Sequence, residues 1–125
     1  LSFLKTSRMS LLERLNLHLK LEVALLAEGF ASEPGVLQKV GKRFMRVSGQ
    51  YFVPSSLQEI VLLNVPHKIE GTQVQLRTRY LGSFPAALVR TGIDFIEILV
   101  SRQEEEEEEL WVLIPLNQVI SIEEA

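Results

Sequence analysis

Apolar and polar residues alternate strictly from position 15 to 23, with Leu15, Leu17, Leu19, Leu21 and Val23 on one side and Asn16, His18, Lys20 and Glu22 on the other. A period of two is the signature of a half-buried strand. Residues 73–79 repeat the pattern, setting Val74, Leu76 and Thr78 against Gln73, Gln75, Arg77 and Arg79 in a composition suited to strands. The first stretch is also rich in helix formers, and Ser10-Leu11-Leu12-Glu13 has the spacing of a capping box. These signals together predict a short helix over residues 10–14 and a strand over residues 15–27.

The two alternating stretches belong to a longer repeat. A shift of 51 carries Val23 onto Val74, Leu25 onto Leu76, Ser32 onto Ser83, Pro34 onto Pro85, Leu37 onto Leu88, Gly41 onto Gly92 and Phe44 onto Phe95. That is seven identities in the 25 positions 23–47, where unrelated segments share roughly one or two at ordinary residue frequencies. A repeat this short implies a supersecondary unit that buries its apolar face against a copy of itself. Phe44 and Phe95, equivalent under the shift, both read as core.

Each copy reads as a meander of five short strands. In the first, strands are expected at 15–27, 36–40, 43–48, 50–53 and 57–63, broken at Pro54; in the second at 73–79, 83–91, 94–101, 110–114 and 118–123, broken at Pro115. Val53-Pro54 matches Ile114-Pro115 at a spacing of 61, so the second copy holds ten more residues between its third and fourth strands. That interval contains Arg102, Gln103 and six consecutive glutamates at 104–109. Such a run repels itself and is expected as a solvated loop at 102–109, or alternatively as a lure for a basic partner. The organisation expected is an extension and short helix over 1–14, repeats over 15–63 and 72–123, and a linker over 64–71.

Composition narrows the function. With 125 residues, 46% hydrophobic and 23% charged, the chain can bury a core, but only in one body or two very small ones. A net charge of −3 argues against a surface that attracts nucleic acid everywhere, while leaving room for a local basic patch. Without cysteine there is no disulfide framework and no thiolate metal site. No secretory signal pattern opens the chain, and no segment approaches the roughly 18 apolar residues of a membrane span. A soluble cytoplasmic protein with no membrane partner is therefore expected.

The second copy, through Gly82-Ser83-Phe84, Gly92, Asp94-Phe95-Ile96-Glu97-Ile98 and Ile114-Pro115-Leu116-Asn117-Gln118-Val119-Ile120-Ser121-Ile122, resembles the five-stranded small barrel of Sm-like proteins. It is also similar to uncharacterised small-barrel proteins of spore-forming bacteria. This resemblance implies an all-β fold of two tandem five-stranded Sm-like barrels with a short N-terminal helix. It further implies oligomers, and binding of single-stranded RNA through the loops between strands two and three and between strands four and five. Lys42, Arg43, Arg90, Asp94 and Asn117 are the residues it places in such a site. The Tyr-Lys-His signature of the bacterial branch and the Arg-Gly pair of the eukaryotic branch are absent from this chain, which weakens the RNA reading.

Other candidate chemistry is sparse. Lys39, Lys42, Arg43 and Arg46 fall within eight positions and form either a phosphate-binding patch or the solvated face of a strand facing acidic residues such as Glu97. His18 and His67 have no second ligand at metal spacing, and there is no Gly-rich phosphate loop or nucleophile elbow, so no catalytic residue, metal or cofactor is expected. The nearly continuous apolar runs Tyr51-Phe52-Val53 and Leu110-Trp111-Val112-Leu113-Ile114 suit strands covered on both faces. In so small a unit the second cover must come from the other copy or another chain. Tyr51, Phe52, Trp111 and Leu113 are therefore the expected interface residues. A non-catalytic protein that assembles into homo-oligomers through its sheet edges, its protein partner otherwise unspecified, is the leading expectation, and an Sm-like RNA binder the alternative.

Overall fold

The computed structural model describes residues 7–65, 70–101 and 109–125. One helix opens it, α1 at Leu11–Asn16. Ser10 caps it in a complete capping box, its hydroxyl accepting the Glu13 amide while the Glu13 carboxylate accepts the Ser10 amide. Leu11 and Leu15, four apart, bury one face of the helix. The strand predicted from residue 15 begins instead at Glu22, after a turn in which Lys20 takes a left-handed φ of 75°. A strict alternation also contains a spacing of four, so it satisfies a helical face as well as a strand, and here the cap decides.

Among the described residues eleven strands follow: β1 (Glu22–Ala27), β2 (Phe30–Ala31), β3 (Gly35–Val40), β4 (Met45–Val47), β5 (Gln50–Phe52), β6 (Glu59–Leu62), β7 (Thr72–Thr78), β8 (Gly82–Thr91), β9 (Phe95–Ser101), β10 (Glu109–Pro115) and β11 (Val119–Glu124). Short 3-10 turns stand at the two prolines that end the apolar runs, Pro54–Ser56 opening on Pro54 and Leu116–Gln118 following Pro115. All pairings are antiparallel, and the strands form one sheet in the order β11-β7-β8-β9-β10-β6-β1-β3-β4-β5, with β2 paired to β1. The fold is all-β, as the alternation predicts. In place of two closed barrels, the described strands make one open sheet, because β10 of the second half pairs with β6 of the first.

The spacing of 51 reappears in the registers. Val23 faces Gly35 as Val74 faces Ala86, and Val40 faces Met45 as Thr91 faces Ile96. Even the irregularity matches: the β3–β4 ladder shifts between Leu37 and Lys39, and the β8–β9 ladder between Leu88 and Arg90. Beyond the acidic interval the offset becomes 62, one more than the spacing of 61 read from the two prolines, since Tyr51 faces Arg46 as Leu113 faces Glu97, and Ile60 faces Leu25 as Ile122 faces Leu76. Both halves therefore follow one strand order, fifth-first-second-third-fourth. The acidic run at 104–109 lies outside the described residues except for Glu109, which opens β10.

Two apolar cores flank the junction. One joins Leu11 and Leu15 of α1 to Val23, Leu37, Met45 and Ile60, and it takes Phe95 and Leu113 from the second half. The other lies within the second half, around Leu76, Leu88, Ile98 and Ile114. Residues of β10 alternate between them, Leu113 entering the first and Val112 the second. Each large side chain so buried contributes about 1.5–3 kcal/mol. The β10–β6 seam is thus a cored junction between the halves.

Candidate functional site

The seam is built around a buried carboxylate. Glu97 on β9 is fully buried, and its two oxygens accept from Nε and Nη2 of Arg14 on α1, both at 2.9 Å. Arg90 on β8 lies 3.3 Å away, and the indole N–H of Trp111 on β10 donates to the same carboxylate. Three elements of the second half and the helix of the first are tied to one side chain. A carboxylate so deep persists only because its lone pairs are met by charged donors. At another point along the junction, the Tyr80 hydroxyl, in the turn between β7 and β8, donates to the buried carboxylate of Glu59 on β6.

The residues expected to read RNA lie near the loops at one end of the sheet, and three of them are engaged within the chain. The Asp94 carboxylate accepts the Leu11 amide at 2.7 Å and so fixes the start of α1. Arg90 pairs with Glu97, and the Asn117 amide donates to the Ser55 carbonyl at 3.0 Å, linking the two 3-10 turns across the halves. Lys42 and Arg43 are exposed. An open groove of about 820 Å³ runs beside them, lined by Arg8, Met9, Leu12, Asn16, Leu17 and Lys42 among others. The Ile93 amide donates to the Met9 carbonyl, which places the β8–β9 loop against the segment before α1, and the Leu116 amide donates to the Asp94 carbonyl within the second half.

The four expected interface residues divide into two pairs. Trp111 and Leu113 lie in the internal seam, where Trp111 faces Leu62 and Leu113 faces Ile60. Tyr51 and Phe52 lie on β5, which forms one end of the sheet, β11 forming the other. No protein-family model, no curated protein and no solved structure matches the chain. Its site is therefore read from its own geometry.

Phe44, expected in the core, is 48% exposed, whereas Phe95 is fully buried. The difference is the seam, which covers the second half's aromatic with the first half's core and leaves the first half's aromatic at an open end. Phe44 meets the Tyr51 ring edge-on at 6.5 Å, and the Arg46 guanidinium sits 5.8 Å from that ring. Lys39 and Arg46 are cross-strand neighbours, Lys39 exposed and Arg46 partly buried, and Glu97 lies elsewhere, with Arg14 and Arg90. The basic cluster therefore does not face the acidic residue expected opposite it.

His18 is buried in the turn after α1, its Nε2 3.0 Å from the Glu22 carbonyl, and His67 lies outside the described residues. Among the described residues no group of three metal-ligating side chains forms, and no helix is long and apolar enough to cross a membrane. Sequence reasoning missed Arg14, Glu59, Tyr80 and Glu97. For Glu97 the signal was present: a lone charge inside Ile96-Glu97-Ile98-Leu99-Val100 must find a buried partner.

Proposed function

We propose that the chain is a non-catalytic assembly module that forms homo-oligomers through its sheet edges, built from two Sm-like units and working in the cytoplasm. The observation that carries this reading is the β10–β6 seam, in which an edge strand of one half is closed by an edge strand of the other. The same order leaves β5 and β11 as the outer edges of the described sheet. Open edges invite pairing, and repetition of a unit offers a complementary one. Sedimentation of the purified chain tests it: a defined oligomer or filament with a protein-only absorbance ratio supports assembly, and a monomer at all concentrations refutes it.

A second reading, single-stranded RNA binding at the loop end, draws support from the exposed Lys42 and Arg43 beside the groove. It requires binding to a random RNA pool that weakens steeply as salt rises. Replacing both residues by alanine should abolish that binding. If the double variant binds as the parent does, these residues are not the site.

A further inference from the structure

The residues that the internal seam buries have counterparts at the β5 end, and those counterparts stand exposed. By the matching registers Phe44 corresponds to Phe95, Arg46 to Glu97 and Tyr51 to Leu113. Phe95, Glu97 and Leu113 are each fully buried, while Phe44 is 48% and Tyr51 61% exposed. Arg46 carries a buried Nε with no hydrogen-bond partner among the described residues. An edge with two exposed aromatics and an unsatisfied guanidinium nitrogen is one side of a seam lacking its other side.

We propose that the missing side is β11 of a second copy, joined head to tail in the register of the internal seam. Transferring Leu113–Ile60 and Val112–Val61 through the offset of 62 sets Tyr51 opposite Ile122 of the next copy and Gln50 opposite its Glu123. Tyr51 then covers the partly buried Ile122 as Leu113 covers Ile60. Lys39 and Arg46 lie on one side of this junction, with Glu123 and Glu124 on the other, so the charges are complementary. Symmetric pairing is disfavoured: β11 on β11 crowds four glutamates together, and β5 on β5 leaves the acidic β11 edge unpaired. The inference rests on the assembly reading and specifies its partner edge and polarity.

The chain has no cysteine, so introduced thiols report position cleanly. A Tyr51→Cys chain and an Ile122→Cys chain, mixed and treated with a short thiol-reactive cross-linker, should give covalent dimers, and neither alone should. A chain carrying both substitutions should give a ladder of multimers. Dimers from either single variant alone overturn the head-to-tail polarity. Absence of the mixed dimer while the parent chain sediments as an oligomer overturns the seam but leaves assembly standing; a monomeric parent overturns both. As a second readout, Phe44→Ser should lower the sedimenting mass at least tenfold in the concentration required, with its unfolding midpoint as a dilute monomer unchanged. An unchanged mass would contradict the seam.

Discussion

Glu97 ties α1 to the second half. Replacing it by Gln keeps the shape but leaves the Arg14 guanidinium, whose side chain is only 10% exposed, without its counter-charge. Breaking a buried ion pair from one side costs on the order of 3–5 kcal/mol, so Glu97→Gln should lower unfolding stability by about that much in a urea titration. His18 supplies a pH dependence at the same scale. Burial pushes its imidazole below the ordinary value of 6.5, with the Arg14 charge acting in the same direction and the Glu22 carbonyl opposing both. The unfolded chain therefore takes up the proton first as pH falls, so this residue's stability is full above the ordinary value and lost progressively below it. Unfolding midpoints measured from about pH 7.5 to about pH 5.5 should fall more steeply for the parent than for His18→Gln. Equal slopes would remove His18 from the account.

At the scale of elements, a pair of equivalent glycines separates the covered half from the open one. A Cβ on Gly92 would lie 2.1 Å from Phe95 Cε1 and 2.7 Å from the Met9 carbonyl oxygen, and the buried ring has nowhere to move. On Gly41 the nearest atom is the Phe44 carbonyl oxygen at 3.6 Å, an ordinary contact. Gly92→Ala should therefore cost about 1–3 kcal/mol by overpacking, while Gly41→Ala should be nearly neutral by the same unfolding measurement. Similar costs would mean that the two ends are covered alike. Most strands were legible at this scale because their alternation, prolines and turns agree with one another. The stretch at 15–21 was not, since its leucines suit both periods, and neither was β2, whose two residues carry no period at all. Phe44 was misread for a different reason. A repeat fixes which residue occupies a position, whereas burial there depends on what stands across the seam, and that is a relation between elements.

At the scale of the whole molecule, the described strands form one antiparallel sheet with an internal junction and two unlike ends. The equivalence of its halves was readable from the shift of 51; the order, in which β6 returns beside β1 and β11 beside β7 where a simple meander was expected, was not, nor was the pairing of β10 with β6 that turns two expected barrels into one sheet. Nothing local in Leu110-Trp111-Val112-Leu113-Ile114 names the strand it will meet, only that both its faces will be covered. Trp111 and Leu113, singled out as interface residues, lie at this internal junction. The expected RNA residues Arg90, Asp94 and Asn117 are occupied in holding the fold, which shifts the weight of the reading toward assembly.

The central claim, that these edges join copies of the chain, is tested most directly by the mass of the purified protein in solution across a wide concentration range. Assembly predicts particles whose mass is a multiple of 14.2 kDa and that loosen as salt screens the charges across the junction. A single species of 14.2 kDa at every concentration and salt would contradict it.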